Sequence, residues 1–187
     1  MTDAATGPTR PAPVISFPLK VLTAAIGLLV LALAVGFLLP GRWEVERSAL
    51  VAAPPGVVFS ALDDPRRWDE WAPLGEVEAT FAGPARGAGA ERRWDDPEFG
   101  DGVFTILSTV PDREVRYRVE VQNGSMITEG TVRLDPEGSG TRVVWTERGD
   151  FGHNPMLGYL TRSMDRLQGA QMEGALARLG EQTAVRR

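Results

Sequence analysis

The chain has 187 residues, one histidine, no cysteine and a formal net charge of −5. That length allows one domain with a sizeable core plus an appendage. The lack of cysteine excludes disulfides and thiolate metal sites. The acidic balance argues against a nucleic-acid partner and against charge-driven adsorption to anionic lipid.

Residues 1–13 are rich in Thr, Ala and Pro without periodicity, and are expected to form a disordered tail. A transmembrane helix is expected over residues 14–40. Within it, residues 21–39 carry no charge, and Thr23 is the one polar side chain. At 1.5 Å per residue this run is about 28 Å long, close to the hydrocarbon thickness of a bilayer. Pro40-Gly41 ends it, and Trp43 follows at the level where interfacial aromatics are favoured. A cleaved signal peptide fits less well. The run exceeds the usual apolar region, no small-x-small site follows Leu39, and Ala32-Leu33-Ala34 is a weak candidate. Arg10 and Lys20 on one side nearly balance Arg42 and Arg47 on the other. The short tail favours a single-pass membrane protein with its N-terminus in the cytoplasm and its domain on the extracytoplasmic side. Ala32 and Gly36 form a small-xxx-small pair of the kind that supports helix pairing.

A folded domain is expected over residues 42–183. Val45, Arg47 and Ala49 alternate with Glu44, Glu46 and Ser48 in a first strand. Pro54-Pro55-Gly56 breaks it and opens a helix whose Val58, Phe59 and Leu62 share a face. A short helical turn carries Trp68 and Trp71 on one side. Strand patterns then recur. Val77, Ala79 and Phe81 mark one; Ala90, Arg92 and Trp94 the next; residues 102–110 are β-branched and apolar on both faces. Val115, Tyr117, Val119 and Val121 alternate with Arg116, Arg118 and Glu120. Asn123-Gly124 is a hairpin signal, because both residues tolerate positive φ. Residues 126–134 return, and Thr141, Val143, Trp145 and Glu147 line one face of the last strand.

The final segment, residues 154–183, reads as one long amphipathic helix. Asn154 is its expected cap and Pro155 its first residue. Leu157, Leu160, Met164, Leu167, Gln171, Met172, Ala175 and Leu179 form the expected buried stripe. Consecutive strands joined by short turns pair as a meander, and the helix covers the apolar face that the meander leaves open. The fold class is therefore α+β: an antiparallel sheet curved around a long C-terminal helix, with ligand space between them.

The Pro54-Pro55-Gly56-Val57-Val58-Phe59 opening of the first helix, the Trp68…Trp71 pair and the Gly140-Thr141-Arg142-Val143-Val144-Trp145 strand resemble the polyketide cyclase/dehydrase branch of the START-like (SRPBCC, helix-grip, Bet v 1-like) superfamily. So does the junction Gly149-Asp150-Phe151-Gly152-His153-Asn154-Pro155. The resemblance covers residues 42–179 and implies the helix-grip fold. The superfamily includes lipid carriers, hormone receptors, ring hydroxylases, cyclases and co-chaperones, so fold alone does not fix chemistry.

No metal site is expected: His153 is the sole histidine and the carboxylates lack ligand spacing. The stretch 83–89 lacks the pattern and the following helix of a phosphate loop. No cofactor is implied. If Trp145 points inward, so does Glu147, and a carboxylate in an apolar cavity can act as acid or base. Against this, Glu147 would pair with an arginine such as Arg92. Tyr117 is inward if Val115 and Val119 are, to orient a ligand or to pack. Arg92 shares a face with Trp94 and would meet an acidic head group, or else sit solvated at an edge. Leu160 and Met164 complete the cavity candidates from the helix side. The leading expectation is a membrane-tethered module that binds a hydrophobic small molecule or lipid. The alternatives are a cyclase or dehydratase acting through Glu147, Tyr117 and Arg92, and a co-chaperone-like interaction domain with a filled core.

Overall fold

The computed structural model describes residues 17–72, 77–97, 100–152 and 155–185. The expected tail, the Asn154 cap and His153 lie outside them. The elements are α1 (Phe17–Leu38), β1 (Arg42–Val51), α2 (Pro55–Leu62), a 3-10 turn (Pro65–Arg67), α3 (Trp68–Trp71), β2 (Ala79–Ala82), β3 (Glu91–Asp96), β4 (Gly100–Val110), β5 (Glu114–Val121), β6 (Met126–Glu137), β7 (Gly140–Asp150) and α4 (Pro155–Val185). This is an α+β helix-grip architecture preceded by an apolar helix.

Period-two alternation builds one seven-stranded antiparallel sheet, ordered β1-β7-β6-β5-β4-β3-β2. Strands β2 to β7 form the meander. β1 adds to the far side of β7 over ten register pairs, from Arg42↔Asp150 to Val51↔Thr141. Within residues 102–110, the adjacent apolar Ile106 and Leu107 lie at a bulge. The β4–β5 register shifts between Ile106 and Ser108, leaving Ile106 buried and Leu107 exposed. The β5–β6 hairpin is wider than a two-residue turn: Gln122, Asn123 and Gly124 all have positive φ. Asp101 on β4 holds it, accepting from the Asn123 amide at 2.8 Å through its side chain.

The inner face carries Val45, Phe104, Ile106, Val115, Tyr117, Val132, Leu134, Val143 and Trp145, all buried. Helices α2, α3 and α4 cover it. From α4, Met172, Ala175, Leu176 and Leu179 are buried. Burial of each of Met172, Leu176 and Leu179 contributes about 1.5–3 kcal/mol.

The N-terminal half of α4 departs from the expected stripe. Leu160 and Leu167 are 37% and 55% exposed, whereas Gly158 and Gly169 are buried. The packed face is rotated around the helix because glycines build it. Gly158 abuts the Gly36 carbonyl of α1 and Leu39 just beyond its end, and the Arg47 guanidinium lies against Gly169. A pattern that counts apolar side chains does not register contacts made by bare backbone.

Arg47 on β1 clamps this half of α4. Its Nε donates to Glu173 at 2.7 Å, Nη1 to the Asp165 carboxylate at 2.9 Å and Nη2 to the Asp165 carbonyl at 2.9 Å. Helix α1 is apolar all round: Leu19–Leu38 has mean hydropathy 2.7 and is 6% buried. That length and composition suit a membrane span or a signal sequence alike.

Candidate functional site

A cavity of about 650 Å³ lies between the sheet and α4. Trp68, Phe104, Tyr117, Val119, Trp145, Glu147, Gln168, Met172, Ala175 and Arg178 are among its lining residues. The walls are largely aromatic and aliphatic. Trp68 of α3 packs on Phe104, Tyr117 and Trp145, with ring centroids 4.6, 4.8 and 6.3 Å apart. Its indole donates to the Leu62 carbonyl at 2.8 Å, which fixes the ring as a wall of the cavity. Trp71 is sealed behind it, fully buried, with its own indole donating to the Ala61 carbonyl at 3.3 Å.

The polar group of the cavity follows from strand register. Tyr117 on β5 pairs with Gly130 on β6, and Gly130 pairs with Glu147 on β7. Tyr117 and Glu147 thus stand two strand spacings apart, about 10 Å at the backbone. With no side chain at Gly130, the Tyr117 ring lies flat across β6; a Cβ there would fall within the ring. The phenol hydroxyl donates to Glu147 Oε1. Trp145 Nε1 donates to the same phenol oxygen at 2.7 Å, and Gln168 Nε2 of α4 donates to Glu147 Oε2 at 2.6 Å. A carboxylate 5% exposed thereby receives one donor from the sheet and one from the helix.

Burial pushes the Glu147 carboxyl above its ordinary range, and the bonds from Tyr117 and Gln168 pull it part of the way back. Tyr117 is pushed well up, by burial first and by the neighbouring carboxylate second. The phenol therefore stays protonated as the donor. Glu147 is left as a group whose proton is held more tightly than in water, inside a mostly apolar chamber. It can accept a hydrogen bond or exchange a proton.

Of the sequence-predicted residues, Tyr117, Trp145 and Glu147 line this cavity, and Tyr117 is hydrogen-bonded to both of the others. Trp94, Arg92, Leu160 and Met164 do not line it. The Trp94 ring lies over Gly102, its register partner on β4. Arg92 is neither solvated nor paired with Glu147. It is 1% exposed, stacks on Trp94 at 5.5 Å and bonds Asp69 of α3 at 3.1 Å. Leu160 is turned outward by the rotation of α4, and Met164 is half-buried against the core.

Phe104 and Gln168 line the cavity without having been singled out in the sequence, whereas the Trp68/Trp71 pair reads there as a packing device or a lid over the entrance. A signal for Gln168 existed, because it falls midway between Met164 and Met172 at four-residue spacing on one helix row. Among the described residues, no cluster of three or more His, Asp or Glu could hold a metal ion.

The family model described as polyketide cyclase / dehydrase and lipid transport matches residues 42–183. The chain belongs to this family. No curated protein matches it significantly by sequence. Several solved structures share the polyketide cyclase-type fold. Protein Mll3558 from Rhizobium loti is 22% identical, with a TM-score of 0.55 over 75% of this chain and 96% of its own. Protein Ms6760 from Mycobacterium smegmatis is 14% identical, with a TM-score of 0.53 over 77% and 92%. The di-domain ARO/CYC StfQ from the steffimycin biosynthetic pathway is 13% identical, with a TM-score of 0.61 over 78% of this chain and 51% of its own. At these identities the likeness is one of fold.

Proposed function

We propose that the domain over residues 42–183 binds a hydrophobic small molecule or lipid in the cavity between sheet and α4. Helix α1, within residues 14–40, holds it at a membrane, with the domain on the extracytoplasmic side. The carrying observation is the cavity itself: about 650 Å³, walled by aromatic rings and closed at one place by a hydrogen-bonded carboxylate. Volumes of this order, mostly apolar with a few convergent polar groups, are typical of small-molecule sites. A ligand end that donates a hydrogen bond suits Glu147; an anionic end does not. The open space counts against an interaction domain with a filled core. Retention of α1 is supported by its packing on α4, which a cleaved leader would have no reason to make.

Native mass spectrometry of the full-length chain, purified from its own membranes in mild detergent, tests the binding reading. A stoichiometric apolar adduct supports it. A folded protein that carries no adduct and binds no hydrophobic fluorescent probe overturns it.

A cyclase- or dehydratase-type enzyme is the second reading, favoured by the contact between Tyr117 and a carboxyl whose proton is held by burial. With the extracted molecule as substrate, Glu147→Gln then abolishes turnover and keeps binding. Unchanged turnover removes Glu147 from the chemistry.

A further inference from the structure

Helix α1 does not leave the domain at a hinge. Leu38 ends it and Arg42 begins β1, and its last turns pack directly on the start of α4. The Tyr159 hydroxyl donates to the Ala32 carbonyl at 2.6 Å. Gly36 meets Pro155, so closely that a Cβ on Gly36 would overlap the Pro155 carbonyl. The Ala32/Gly36 pair is thus spent on the chain's own α4.

This contact sets a depth. Ala32 lies about 9 Å along the helix axis before Leu38. If α1 spans a bilayer, the first turns of α4 sit level with its final 9 Å, in the boundary between acyl chains and head groups. The side chains there suit that zone. Met156, Tyr159 and Leu160 are 67%, 39% and 37% exposed, and so are Phe37 and Leu38 of α1, which follow the Gly36 that meets Pro155. Arg162 and Arg166, both exposed, follow on the next turns of α4. Apolar residues with a tyrosine at the boundary and arginines beyond it are how an interfacial helix is built.

We propose that the N-terminal turns of α4 are a second membrane contact: Met156, Tyr159 and Leu160 insert into the leaflet in which α1 ends. The domain then stands on the bilayer on two adjoining feet. The occupant is the lipid interface and not a protein, because the exposed face of α4 is continuous with α1, whose apolar surface is itself uncovered. The contact is driven by apolar area, consistent with a chain of net charge −5. This proposal rests on the reading of α1 as a membrane span.

The absence of cysteine makes the test direct. Variants of the full chain carrying Leu160→Cys, Met156→Cys, Leu28→Cys or Ser139→Cys are spin-labelled and reconstituted in phosphatidylcholine/phosphatidylglycerol vesicles. Relaxation by oxygen, which concentrates in lipid, is compared with relaxation by a water-soluble nickel chelate. Expected is oxygen-dominated relaxation at 28, 156 and 160, and nickel-dominated relaxation at 139. Nickel-dominated relaxation at 156 and 160 with oxygen dominant at 28 overturns the second contact and leaves α1 as a span. Nickel-dominated relaxation at 28 as well removes the span and the second contact with it.

Discussion

The phenol of Tyr117 reaches the carboxylate of Glu147 by passing over Gly130, the residue between them in the β5–β6–β7 register. The same device recurs twice: Trp94 lies over Gly102 and Trp43 over Gly149, each pair facing across neighbouring strands. In each case a glycine makes room for a ring to lie along the sheet instead of standing on it.

Gly130→Ala tests this arrangement. The new methyl would occupy the ring position of Tyr117, which must swing away and release both Glu147 and Trp145. Overpacking of this kind costs about 1–3 kcal/mol. The expected result is a lowered melting temperature by tryptophan fluorescence, together with loss of probe binding in the cavity. An unchanged melt and unchanged probe binding would show that the ring does not need the gap.

The pH dependence follows from Glu147. Its carboxyl is raised in the folded state, so the folded protein holds that proton more tightly than the unfolded chain. The stability due to this group is fully present below the unfolded value, about 4.5, and is lost as pH rises through the folded value. Asp63, raised mainly by burial, acts in the same direction. Asp165, lowered by Arg47, acts oppositely: its contribution is present above its unfolded value and lost in stronger acid. Glu147→Gln isolates the first of these. Its advantage in melting temperature over the parent is expected to grow from about pH 4.5 towards neutrality, and then to level off. A constant difference across that range would mean that Glu147 does not titrate with folding.

The two halves of α4 should respond differently to truncation. Met172→Ala or Leu179→Ala removes a fully buried side chain and is expected to cost about 2–5 kcal/mol. Leu167→Ala, at a position 55% exposed, is expected to fall within about 0.5 kcal/mol of the parent. Thermal melts of the three variants in one detergent check the contrast. Equal losses would place Leu167 in the core and refute the rotated face.

Arg47→Lys keeps the charge but loses the planar fork. One ammonium cannot serve Glu173, the Asp165 carboxylate and the Asp165 carbonyl as three separate nitrogens do. The variant is expected to melt lower, with faster proteolysis near residue 165. A lysine variant as stable and resistant as the parent would show that charge alone secures α4.

Much of this fold was legible because its strands alternate cleanly. Val115, Tyr117 and Val119 pointed inward on period alone, and so did Trp145 and Glu147, so three of the residues at the cavity's polar corner could be named from the sequence. What was not legible depends on non-local geometry or on atoms that glycine lacks. Nothing near Arg92 in the sequence indicates that Asp69, on α3, is its partner. Nothing in an apolar stripe reports that Gly158 and Gly169 are the contacting residues of α4. The glycine at position 130 acquires meaning only once the register places it between Tyr117 and Glu147.

The short link between Leu38 and Arg42 bears on logistics. With α1 lodged in a bilayer, three residues span at most about 11 Å. If α1 spans as proposed, the cavity is stationed above one patch of lipid and cannot commute to a facing membrane. On the proposed reading, an apolar ligand would reach it by lateral diffusion within that patch. On that reading the protein is a fixed berth rather than a shuttle.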